Sequence, residues 1–150
     1  MDNLHPITVH FPIALLLAAF AVETLALFLN KPGWHRISLW NLCLGALGAG
    51  VAVLAGRMAE ETAKHSYEIG EVMELHEKLG YAVLGLALFT AVVRWFFHDQ
   101  MGKGARWAVW ALLGIACGVM VFSAHLGGRL VYEFGVGGSY GRSSSIEVLK

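Results

Sequence analysis

Four long apolar blocks, residues 11–29, 37–56, 79–93 and 107–124, alternate with short polar connections. A helix of about 20 residues rises about 30 Å, the thickness of a bilayer's hydrocarbon. Three blocks reach or approach that length, and the third reaches it when His76 and Trp95 are taken as its interfacial ends. None carries the polar face that helices of a soluble bundle need. The pattern therefore predicts an all-α integral membrane protein, an up-down four-helix bundle with short loops and both termini on the same side. It divides the chain into a four-helix transmembrane domain, residues 1–130, and a polar Gly/Ser-rich C-terminal tail, residues 131–150. No internal repeat is visible.

Composition strengthens this reading. The chain is 57% hydrophobic and 15% charged, against about half and about a quarter in soluble domains. The net charge is +0, which gives no argument for nucleic acid. The opening MDNLHP has no basic stretch, and the first apolar run is long enough to span, so a cleaved signal peptide is not expected. Cys43 and Cys117 fall inside spans without CxxC or CxxCH, which excludes covalent c-type haem attachment and a disulfide framework and leaves packing roles.

Lys31, Arg36, Arg94, Lys103 and Arg106 crowd the two short connections, whereas Arg142 and Lys150 lie far out on the tail. By the positive-inside rule the short loops are expected in the cytoplasm. The termini and the acidic segment carrying Glu60, Glu61, Glu68, Glu71, Glu74 and Glu77 are then periplasmic, in the bacterial inner membrane. Trp34, Trp40, Trp95, Trp107 and Trp110 flank the short loops, as amphipathic rings do at the headgroup level.

The candidate chemistry lies in histidines at the other end. Stepping along each helix by three or four residues, His10 continues through Ala14, Ala18 and Ala21. His76 continues through Gly80, Val83, Ala87 and Thr90. Backward from His125 the series is Val121, Gly118, Gly114 and Ala111, and the second span shows Gly45, Ala49, Ala52 and Gly56. Each stripe alone reads as a helix–helix interface. Three helices that each end such a stripe in a histidine predict a shared interior pocket beneath the outer headgroups. His5, about 140° around the helix from His10, is a fourth candidate. His35 and His98 read as ordinary loop residues, and His65 is ambiguous. Glu23 and Arg94 read first as a structural ion pair, with a proton site as the alternative. Glu77 is placed to orient the neighbouring His76.

Inward histidines with small residues around them suit b-type haem, in which two neutral imidazoles ligate the iron. The expected cofactor set is one haem b or two, held among His5, His10, His76 and His125 with Gly80, Gly114 and Gly118 making room. Such a haem near one surface would exchange electrons with a quinone or with a periplasmic or fused redox protein. Zn, Cu or non-haem Fe is the alternative, and a structural or assembly subunit is the third reading. A homo-oligomer is compatible with all three. Ser38 and Ser123 lack an evident acid–base pair, so nucleophilic catalysis is set aside, and the chain reads as an electron-transfer component more than a stand-alone enzyme.

LHPITVHFPIALLLAAF, the single His76 opening the third span and AHLGGRLVYEFGVG after the fourth resemble the predicted bacterial membrane-protein family called domain of unknown function 2231. The resemblance covers nearly the whole chain and implies four membrane helices. Some relatives look fused to, or neighboured by, Rieske iron–sulfur and other redox modules, which implies electron transfer. It carries over to His5, His10, His76, His125, Gly127, Gly128 and Tyr132. The resemblance implies a histidine in many members where this chain has Phe134, so no ligand is expected there.

Overall fold

The computed structural model describes residues 4–60, 67–97 and 100–136. Four helices account for nearly all of them: α1 (Leu4–Phe28), α2 (Trp34–Glu60), α3 (Tyr67–Phe97) and α4 (Lys103–Tyr132). All four are long and apolar enough to cross a membrane, over Thr8–Phe28, Trp34–Met58, Ile69–Phe97 and Lys103–Tyr132. α1 begins before both of its prolines and carries Pro12 in its interior, where the ring removes the N–H that would bond the Thr8 carbonyl. α3 extends well beyond its apolar block because Glu71, Glu74, Glu77 and Lys78 are good helix formers. α4 runs through Tyr132, two residues past the expected domain boundary.

Local chemistry stops the helices. Asn30 takes a left-handed backbone (φ 51°), and the Lys31 N–H reaches back to the Ala26 carbonyl at 3.0 Å, a Schellman closure. The turn through Pro32 and Gly33 then leads directly into α2. After α4, Gly135 (φ 67°) turns the chain so that the Val136 N–H bonds the Leu130 carbonyl at 2.8 Å.

Each helix packs on its sequence neighbours, and α1 closes the ring against α4, while the diagonal pairs α1/α3 and α2/α4 make no backbone approach. Leu16, Leu42, Ala87 and Leu113 form the centre. Gly45 lets α1 come close, since a Cβ there would stand 2.9 Å from Leu16 Cδ2. Leu47, Leu54, Phe96 and Ile115 point outward and are more than half exposed. A soluble bundle would hide such rings and branches, whereas in a bilayer they meet lipid.

α1 and α4 run antiparallel in a register marked by four contacts. Phe28 packs edge-on against Trp107 with centroids 5.5 Å apart, and Trp110 Nε1 donates to Thr24 Oγ1 at 2.9 Å. A Cβ on Gly114 would lie 3.2 Å from Phe20 Cε2, and Cys117 Sγ reaches the Leu16 carbonyl at 3.5 Å. The first turn of α1 and the last turns of α4 therefore share one end of the bundle, opposite the two short connections.

Candidate functional site

At the short-loop end the interior is polar. Glu23 (α1), His35 and Ser38 (α2) and Arg94 (α3) are all buried, at 1%, 6%, 0% and 2% exposure. Arg94 Nη1 donates to Glu23 Oε2 at 2.7 Å and to Ser38 Oγ at 3.1 Å, and Nη2 donates to the His35 carbonyl at 2.6 Å. Glu23 Oε1 accepts from His35 Nδ1 at 2.8 Å. Ser38 Oγ completes the set by donating to the Ala19 carbonyl at 2.9 Å. Among the described residues no buried side-chain N or O lacks a partner. Such closure is what keeps buried charges tolerable, because low dielectric penalises any unpaired member. The expected Glu23–Arg94 pair is present, within a larger network.

Two expectations change at this end. His35 is no loop residue: it lies in the first turn of α2, buried against Glu23, because the tight Asn30–Gly33 turn drops α2 beside α1. Arg94 is no surface charge of the connection, which leaves Lys31, Arg36, Lys103 and Arg106 there. A carboxylate inside an otherwise apolar first span was the signal for a buried partner, but nothing in the sequence distinguished Arg94 alone from Arg94 with His35. His98 and His65 lie outside the described residues.

At the opposite end, His76 (α3) is half-buried against α4. Its Nδ1 lies 2.9 Å from the Ser123 carbonyl and 3.1 Å from Ser123 Oγ, and its Cε1 would be 3.1 Å from a Cβ on Gly127. A carbonyl oxygen only accepts, so the Nδ1 carries the hydrogen and Nε2 carries the lone pair. The orientation expected of Glu77 thus comes from the facing helix. Ser123 does have an imidazole beside it, but a protonated Nδ1 cannot take its hydrogen, so the pair makes no nucleophile.

His125 and His10 are both exposed. The stripes that end in them do not face the bundle centre: Ala14 and Ala21 on α1, and Ala111, Gly118 and Val121 on α4, are exposed as well. The inward residues are instead Leu16, Ala19 and Glu23 on α1 and Leu113, Ala116 and Met120 on α4. The other two stripes do face inward, with Val83, Ala87 and Thr90 buried on α3 and Ala49 and Ala52 buried on α2. The reason is physical: small residues suit close packing, but in lipid nothing drives them inward.

The glycines divide similarly. Gly114 receives the Phe20 ring, a Cβ on Gly80 would make an ordinary contact with Val53 at 3.8 Å, and a Cβ on Gly118 would meet nothing within 4 Å. Ser123 and His125 are two residues apart, about 200° around α4, so His76 and His125 flank opposite sides of that helix at nearly one depth. They do not share an interior pocket. Among the described residues no group of three His, Cys, Asp or Glu is placed to hold a metal ion. His5 lies in the first turn of α1, and its side chain is outside the described set. Cys43 and Cys117 are unbridged and fill packing positions.

The family model described as a predicted membrane protein (DUF2231) matches residues 1–139. The chain belongs to the DUF2231 family. No curated protein and no solved structure matches it. In this DUF2231 chain, the HPxxVHFP segment on α1 and the HLGG segment on α4 occupy the same end of the bundle. That end also holds His76.

Proposed function

We propose that this DUF2231 domain is an electron-transfer element of the bacterial inner membrane that binds b-type haem at the end remote from the short loops. That end faces the periplasm, by the Lys and Arg residues that remain on the short connections. The observation that carries the reading is depth: α1, α3 and α4 each bring a histidine to one level near the membrane surface. Neutral imidazole is a common axial ligand of b-type haem, and the open surface around Gly118 leaves room for a flat apolar group. Bound there, haem iron supplies one-electron redox chemistry, and the protein sets its ligands, orientation and exposure. A site at one surface serves a quinone or a periplasmic or fused redox protein. The metal-ion alternative has less support, since the described residues hold no cluster of three ligating groups.

The test is an optical spectrum of protein purified in detergent from haem-replete cells, with elemental analysis alongside. A Soret band with sharp alpha and beta bands on reduction is the expected result. Colourless protein carrying stoichiometric zinc or copper would replace haem by the ion site. Colourless, metal-free protein would leave a structural or assembly subunit.

A further inference from the structure

Independently of the haem reading, we propose that Glu23, His35 and Arg94 form a proton-binding site at the short-loop end, loaded through His35 Nε2. His35 stands in the first turn of α2, close in the chain to the exposed Lys31 and Arg36. Glu23 lies five residues inside the end of α1, about 7.5 Å along the helix. The imidazole is therefore the outer titratable member and the carboxylate the inner one.

The hydrogen bonds fix the tautomer. Nδ1 is 2.8 Å from Glu23 Oε1, and an ionised carboxylate only accepts, so Nδ1 carries the hydrogen and Nε2 the lone pair. Among the described residues Nε2 has no partner, and no fully enclosed side-chain N or O goes without one. Nε2 is therefore the accessible edge of a side chain that is only 8% exposed.

A structural ion pair does not need this arrangement. Arg94 already compensates Glu23 through Nη1 and Oε2 at 2.7 Å, and a hydroxyl or amide could satisfy Oε1 equally well. Imidazole adds a second nitrogen that faces outward. A proton taken from water at Nε2 uses the lone pair and breaks none of the bonds in the network. The imidazolium can then pass its Nδ1 hydrogen to Glu23 Oε1, which leaves the opposite neutral tautomer of His35 beside a neutral carboxyl. The site gains one proton by either route, and neither helix has to move.

Burial of the ring opposes the added charge, as do Arg94 on α3 and Arg106 on α4, while Glu23 on α1 favours it. Glu23 is the one anion acting on the ring among the described residues, so its charge sets the affinity. Arg106 is half-buried and bonds the Met101 carbonyl instead of the network, which makes it a mild site for substitution.

The experiment is a histidine nitrogen NMR titration of the full-length protein in lipid nanodiscs, from about pH 4 to about pH 9. His35→Gln assigns the signal, and far-ultraviolet dichroism checks the helices. At high pH the expected form carries hydrogen on Nδ1 with Nε2 bare, and it takes up one proton reversibly as pH falls. Glu23→Gln keeps an acceptor oxygen for Nδ1 but should weaken proton binding about tenfold or more. Arg106→Gln should strengthen it. A ring that stays in one form across the range, or that starts with Nε2 protonated, overturns the proposal. So does a titration that ignores the substitutions, and if Glu23→Gln fails to fold, Arg106→Gln alone decides.

Discussion

Arg94 on α3 reaches diagonally across the bundle to Glu23 on α1, Nη1 to Oε2 at 2.7 Å, although the two helix backbones do not touch. Its guanidinium also ties down Ser38 and the His35 carbonyl, so one side chain joins three helices at the short-loop end. The planar fork of arginine suits this, and lysine could not make the same bonds.

Removing one partner of such a pair leaves a buried charge alone. Glu23→Ala is expected to destabilise the detergent-solubilised protein by about 3–5 kcal/mol. Glu23→Leu combined with Arg94→Leu should recover most of the loss. Thermal unfolding of the two variants beside wild type checks this, and Glu23→Ala within about 1 kcal/mol of wild type, the scale of an exposed pair, would refute the burial argument.

His35→Ala strips Glu23 Oε1 of its partner and should cost about 1–3 kcal/mol. It lies at the end remote from His10, His76 and His125, so the optical spectrum of any bound cofactor should stay unchanged. A spectral shift in this variant would show that the two ends are coupled.

Gly127→Ala drives a methyl into the His76 ring, 3.1 Å from Cε1, and should break the bond to the Ser123 carbonyl. Ser123→Ala keeps that main-chain acceptor and should be mild. Histidine NMR reads the Nδ1–H directly: loss in Gly127→Ala and retention in Ser123→Ala is the expected pattern.

Gly114 and Gly118 form a GxxxG pair, yet they should respond differently. Gly114→Ala pushes on the Phe20 ring stacked against Trp110 at 5.6 Å and is expected to cost about 1–3 kcal/mol as overpacking. Gly118→Ala enters open space, relieves the helix penalty of glycine and should leave the unfolding temperature at or slightly above wild type. Gly118→Leu should insert normally but crowd haem off the open surface there, so full pigment in that variant would count against haem beside Gly118.

Some of this was legible in the residues. The four spans follow from unbroken apolar length, and Glu23 announced a partner because a lone carboxylate in hydrocarbon is costly. His35 was missed because a histidine beside a Pro-Gly turn looks like any loop histidine until the Asn30 closure fixes where α2 begins. The common interior pocket was read from stripes of small residues, and two of those stripes turned outward.

Depth along the membrane was set by sequence alone: a fixed rise per residue places His10, His76 and His125 near one surface whatever the packing. Direction around each helix was decided only by tertiary structure. In water, apolar residues mark the inside, but lipid tails are as apolar as leucine, so hydropathy cannot tell a buried face from an outer one. The choice fell to specific contacts, Phe20 on Gly114, Leu16 on Gly45 and Arg94 on Glu23. These leave His10 and His125 on exposed faces and lay His76 against Ser123.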